Sequence, residues 1–130
     1  MNMADIADLD PGSFTARDGV GQDVWTTFAP TGVITLVGDA SYSGRYRIVG
    51  RQGFFQIKFS AGTSIATTAG TSYFSLPFTA TGLAGMAVMS NDTTNIAVGV
   101  CHVDTATSRV YLPTQAASGN TFNCAGWCEV

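Results

Sequence analysis

From residue 24 onward, short apolar runs alternate with turn residues, and this rhythm predicts an all-β fold. Residues 24–28 read as a first strand stopped by Pro30 and Gly32, and residues 33–37 as a second stopped by Gly38 and Asp39. Residues 41–49 alternate, with Tyr42, Tyr46 and Ile48 on one face and Ser43, Arg45 and Arg47 on the other. Residues 50–53 form a tight connection, because glycine takes positive φ freely. Residues 54–59 then return, with Phe55, Ile57 and Phe59 facing one way and Gln56 and Lys58 the other. Residues 61–70 are small and polar and read as a loop. The next strand, residues 71–78, turns Phe74, Leu76 and Phe78 inward and must end or lie at an edge by Pro77, which has no N–H to give. Residues 84–90 and 95–103 flank the turn Asn91-Asp92-Thr93-Thr94 as a second hairpin. Residues 106–113 make a further strand, 114–119 a loop and 120–130 the last strand. No connection holds a helical crossover, so the expected architecture is an antiparallel β-sandwich, jelly-roll-like, of about eight strands.

Residues 1–23 differ from the rest. Asp5, Asp8, Asp10, Pro11, Gly12, Asp18, Gly19 and Gly21 are interleaved with few apolar positions. They read as an extended N-terminal arm ahead of a β-sandwich domain over residues 24–130. Fully extended, the arm reaches on the order of 70 Å. Ile6, Leu9 and Phe14 are its candidate assembly residues.

Composition sharpens the picture in one respect. Charged residues make up 12% of the chain, with one lysine, Lys58, and one glutamate, Glu129. An average soluble domain has about 25%. A free monomer keeps a charged, patch-free exterior, so so few charges point to a surface shared with other subunits. Net charge is −3, which repels a phosphate backbone and argues against nucleic-acid binding. Arg45, Arg47 and Arg51 sit together in one hairpin, where a solvated strand face accounts for them. No apolar run reaches the roughly 18 residues of a membrane helix, so no membrane insertion is expected. The start, MNMADIADLD, lacks the basic and apolar regions of a secretion signal. The expected place of synthesis is therefore a cytoplasm.

The candidate chemistry is thin. A hydrolase needs a nucleophile, a base and an orienting group. His102 is the only histidine, and it shares a strand face with Asp104, an arrangement commoner as a surface pair than as a catalytic one. A glycan-processing enzyme needs paired carboxylates about 5 to 10 Å apart, and few acids lie outside the arm. No catalytic residue, cofactor or metal site is assigned. Cys101, Cys124 and Cys128 are odd in number and read as thiols. On a straight strand Cys124 and Cys128 lie about 13 Å apart, beyond bridging distance, unless Gly126 forms a bulge. Cys101 and His102 point to opposite faces, so a zinc site fits poorly. In a three-fold assembly, three copies of His102 could meet on the axis around a cation. Trp25 is expected in the core, and Trp127 less firmly so, while Trp127 or Tyr111, if exposed, could stack on sugars.

One segment carries a family pattern. Trp25-Thr26-Thr27-Phe28-Ala29-Pro30 precedes Gly44-Arg45-Tyr46-Arg47-Ile48-Val49-Gly50. Phe54-Phe55-Gln56-Ile57-Lys58-Phe59 and then Tyr73-Phe74-Ser75-Leu76-Pro77-Phe78-Thr79-Ala80 follow. This order resembles the C-terminal domains of bacteriophage tail-fibre, baseplate and other minor virion proteins. The resemblance implies a small trimeric jelly roll on a virion, made in the host cytoplasm and used in host-surface attachment. The arm would join it to other virion proteins. The alternative is a capsid decoration (cement) or head-fibre protein that stabilises the virion. Loops at one end would bind a host surface glycan or protein, through Ser64, Thr67, Thr68, Asn91, Asp92, Thr93, Gln115, Ser118 and Asn120.

Overall fold

Two long hairpins organise the chain because their strands are apolar and their connections are short. β4 (Ser41–Val49) pairs antiparallel with β5 (Gln52–Ser60) along its whole length. Only Gly50 and Arg51 lie between them, and Gly50 takes φ 61°, which an L side chain adopts at a cost. The connection is thus two residues shorter than the sequence suggests. β8 (Gly85–Asn91) pairs with β9 (Ile96–Asp104) around the Asn91 turn, as expected. A bulge between Met89 and Ser90 shifts their register. The last strand, β12 (Thr121–Glu129), inserts between the hairpins and pairs with both β5 and β8.

The structure is a computed structural model that describes residues 24–38, 40–82 and 84–130. The arm at residues 1–23, with Ile6, Leu9 and Phe14, lies outside the described residues. The described chain is all-β and antiparallel, and a β-sandwich. It has twelve strands, more than the eight that the apolar runs suggest. The remaining strands are β1 (Thr26–Phe28), β2 (Gly32–Val33), β3 (Thr35–Val37), β6 (Ser64–Thr67), β7 (Tyr73–Ser75), β10 (Arg109–Tyr111) and β11 (Gln115–Ala117). Nine strands form one sheet in the order β1-β4-β5-β12-β8-β9-β10-β7-β2, and three form a second, β11-β6-β3.

The large sheet folds over on itself at β9. The first part of β9 pairs with β8, and His102 to Asp104 pair with β10. The strands beyond β9, with the small sheet, cover the inner face of β4-β5-β12-β8. Phe59 packs against Phe74 at 5.2 Å between ring centroids and stacks on Phe122 at 5.6 Å. Phe55, Ile57, Ile65, Val110, Leu112 and Cys124 complete a core that solvent does not reach.

Three departures from the sequence reading share a cause. Residues 33–37 divide into β2 and β3, which join different sheets. Residues 61–70 and 114–119, read as loops, contain β6 and β11. These two segments are too short and too rich in Ser, Thr and Ala to show a strand period, and they become strands because each finds the other as a partner. The strand around Tyr73 does end before Pro77, as expected, although β7 lies between β10 and β2 and is not an edge.

Candidate functional site

The β8–β9 turn and the β11–β12 turn meet at one end of the sandwich. The Asn91 side-chain oxygen accepts bonds from the N–H groups of Thr93 and Thr94, which closes an Asx-type turn. Asn95 completes it in the left-handed region at φ 58°. The two turns are then joined: the Asp92 N–H donates to the Thr121 carbonyl at 2.8 Å, and the Thr121 N–H donates to the Thr93 hydroxyl oxygen at 2.9 Å. Beside them opens a cleft of about 320 Å³ lined by Asn91, Thr94, residues 96–98, residues 115–117 and Asn120. The structure therefore brings Asn91, Gln115 and Asn120 together, with Asp92 and Thr93 in the adjoining turn. Ser118 is exposed directly after β11. Among the described residues no ionisable side chain lines the cleft, so it offers amides, the Thr94 hydroxyl and aliphatic surface to a neutral, hydroxylated or peptide-like group.

The other three candidates do not join this cleft. Ser64 and Thr67 lie on β6, not on a loop. Thr67 is buried, and its hydroxyl donates to the Pro113 carbonyl at 2.6 Å, so it holds β11 in place and is closed to a ligand. Thr68 is exposed in the following turn, where its carbonyl accepts from Thr71 and Ser72.

A second feature, which the sequence reading missed, is the outer face of β4-β5-β12-β8-β9. Cross-strand registers place Arg47, Phe54, Trp127 and Met86 in one row. Arg45, Gln56, Ala125, Val88 and Val100 form the next. Met86 is 56% exposed, Val88 52% and Val100 71%. The available signal was the unbroken apolar run Met86-Ala87-Val88-Met89, the mark of a strand apolar on both faces. Trp25 and Trp127 are half-buried on this face and are not part of the buried core, against expectation. The guanidinium groups of Arg45 and Arg47 lie over the Trp25 ring at 4.9 and 5.1 Å, within cation–π range. Arg45 and Arg47 are therefore not merely a solvated face, whereas Arg51 is exposed. Arg45 also donates to Gln56 at 2.7 Å, and the same region forms an open groove of about 370 Å³ lined by Thr27, Ser43, Gly44, Arg45, Gln56 and Lys58.

His102, Asp104, Arg109, Tyr111 and Tyr73 share one face of β9, β10 and β7. His102 is exposed on β9 and its ring lies 6.2 Å from that of Tyr111. Asp104 serves the next turn: its carboxylate accepts from the Ala106 N–H at 3.0 Å and the Thr107 hydroxyl at 2.6 Å. The Thr107 hydrogen bond holds its pKa below the ordinary value. Tyr111 packs against Tyr73, and Arg109 lies over the Tyr73 ring at 4.1 Å. The three cysteines are free and buried. β12 keeps an unshifted register through Gly126, so no bulge brings Cys128 to Cys124. Cys101 and Cys124 approach to 3.6 Å between sulfurs, and this hydrogen bond, together with burial, raises the Cys124 pKa well above the ordinary value. Burial raises that of Cys128. Among the described residues no three His, Cys, Asp or Glu side chains are grouped to hold a metal.

Comparison of the chain with family models, with curated proteins and with solved structures finds no match.

Proposed function

We propose that this chain is a non-enzymatic structural module of a multi-subunit assembly, a trimeric component of a phage tail or fibre that contacts the host surface. The observation that carries the reading is the exposed outer-face cluster of Met86, Val88 and Val100. Fully burying a Val or Met side chain contributes about 1.5–3 kcal/mol. Three such side chains, each more than half exposed on adjacent strands, leave several kcal/mol of burial to a partner. Their cross-strand neighbours on β12, Ala125 and Trp127, carry no charge, as at the core of an interface. The residues that resemble phage fibre domains supply β1, β4, β5 and β7, so the resemblance and the exposed face concern the same sheet system. The cleft between the β8–β9 and β11–β12 turns, rich in amides and hydroxyls, is the surface we assign to a host glycan or protein.

The test is location on intact particles. Antibody labelling in electron microscopy should decorate the tail of virions of the phage that encodes the chain. Label on the capsid would instead favour a decoration protein, and virions without label would overturn the reading.

A further inference from the structure

We propose that the outer face of β4, β5, β12 and β8 receives residues 1–23 of a neighbouring copy of this chain. The proposal rests on the assembly reading above and names the element that completes it.

Charge is the first argument. Residues 1–23 contain Asp5, Asp8, Asp10, Asp18 and Asp23 against the single Arg17, whereas residues 24–130 hold five basic side chains against four acidic ones. Two of those five, Arg45 and Lys58, line the groove on the outer surface of the β4–β5 hairpin. The groove between them is open, and the Lys58 side chain is 53% exposed although it lies 3.5 Å from Asp92. The second argument is pattern. On the sheet, cations border aromatic and aliphatic groups in single cross-strand rows, as Arg47-Phe54-Trp127-Met86 does. In residues 1–23 the aspartates are interspersed with Ile6, Leu9 and Phe14, so that segment carries groups for both kinds of surface.

Reach and direction identify the donor. The face from β1 to β8 is four strand spacings wide, about 19 Å, and 23 extended residues span on the order of 70 Å. β1 runs antiparallel to β4, with Thr26 opposite Tyr46 and Phe28 opposite Gly44. The chain therefore enters β1 from the Ile48 end of β4, whereas the groove lies toward Ser43 and Lys58. To reach its own groove a segment entering there would have to reverse, whereas the groove of a neighbouring copy asks for no reversal.

Lys58 is the only lysine, so carbodiimide links, which join a carboxylate directly to an amine, report on this groove when peptide sequencing traces them to Lys58. Full-length protein is assembled from equal amounts of ¹⁴N and ¹⁵N chains, cross-linked, digested with chymotrypsin and analysed by mass spectrometry. A Lys58–Asp92 link, formed within one chain, is the internal reference and carries one isotope. We expect links from Lys58 to the aspartates of residues 1–23 in mixed-isotope form, in the share that random assembly gives, and their loss as salt rises. Links to that segment carrying one isotope only would show it folded back on its own sheet and overturn the proposal. Links to Asp92 alone would overturn it as well. Sedimentation of the same sample separates the two failures: an oligomer without segment links leaves the assembly reading intact, whereas a monomer removes both.

Discussion

Phe54 and Phe55 are neighbours on β5 with opposite surroundings. Phe55 is 1% exposed, packed with Phe78 and the rest of the core. Phe54 is half-buried on the other face, beside Trp127 and under the Arg47 guanidinium at 5.5 Å. The same contrast separates Met89 from Val88 and Cys101 from Val100. A sheet with one wet face alternates apolar and polar residues, whereas apolar residues on both faces belong to a sheet covered on both. Here the inner cover is the chain's own β10, β7 and β6, and we assign the outer cover to other copies. Two apolar faces on one sheet thus divide the work between folding and assembly.

Substitutions at paired positions sharpen this contrast. The largest effect is expected from Phe55→Ala, which empties a closed site and should cost about 3–5 kcal/mol, read by denaturant unfolding of the isolated chain. Phe54→Ala should cost much less in the same assay, and equal costs would erase the distinction between the faces. Next comes Gly126→Ala. A Cβ there would overlap the Met86 carbonyl and Ala87, where β12 meets β8. A loss of about 1–3 kcal/mol follows, visible as a lowered Tm. Val88→Asp with Val100→Asp sets two carboxylates opposite each other on β8 and β9, and should cost the isolated chain about 1–2 kcal/mol while abolishing its association. Thiol reagents should leave Cys124 unmodified at pH 8 until the chain unfolds. Its raised pKa means that its stabilising contribution is complete below the ordinary thiol range and falls as pH rises through that range towards the folded value. The smallest effect is at Asp104. Thr107→Ala should move its titration, followed by NMR, up towards the ordinary carboxylate range. The stability that its lowered pKa confers is present above the ordinary carboxylate value and is lost as pH falls through the folded value.

The long strands were legible because their inner faces are large and regular. Phe55-Ile57-Phe59 on β5 and the turn residues around Asn91 determine their hairpins locally. β6 and β11 were not legible, since Ser64 to Thr67 and Gln115 to Ala117 owe their strand state to each other across the sheet. The division at Ile34 also follows from tertiary pairing, because residues 32–33 join β7 and residues 35–37 join β6. Of the candidate site, Asn91 and Asn120 converge because they lie at adjacent ends of the neighbouring strands β8 and β12, and β11 of the small sheet brings Gln115 to them. Thr67 shows the opposite case, a polar residue whose hydroxyl is used up inside the fold. The Trp25–Arg45–Arg47 cluster needs the β1–β4 pairing to exist, and nothing in the spacing of those residues reveals it.

The central claim is that the outer sheet face is covered by other copies. Sedimentation equilibrium of the full chain at micromolar concentration tests it most directly. The wild type should sediment at three times the 13.5 kDa chain mass, and Val88→Asp with Val100→Asp at a single chain mass. A wild type that sediments as one chain would contradict it.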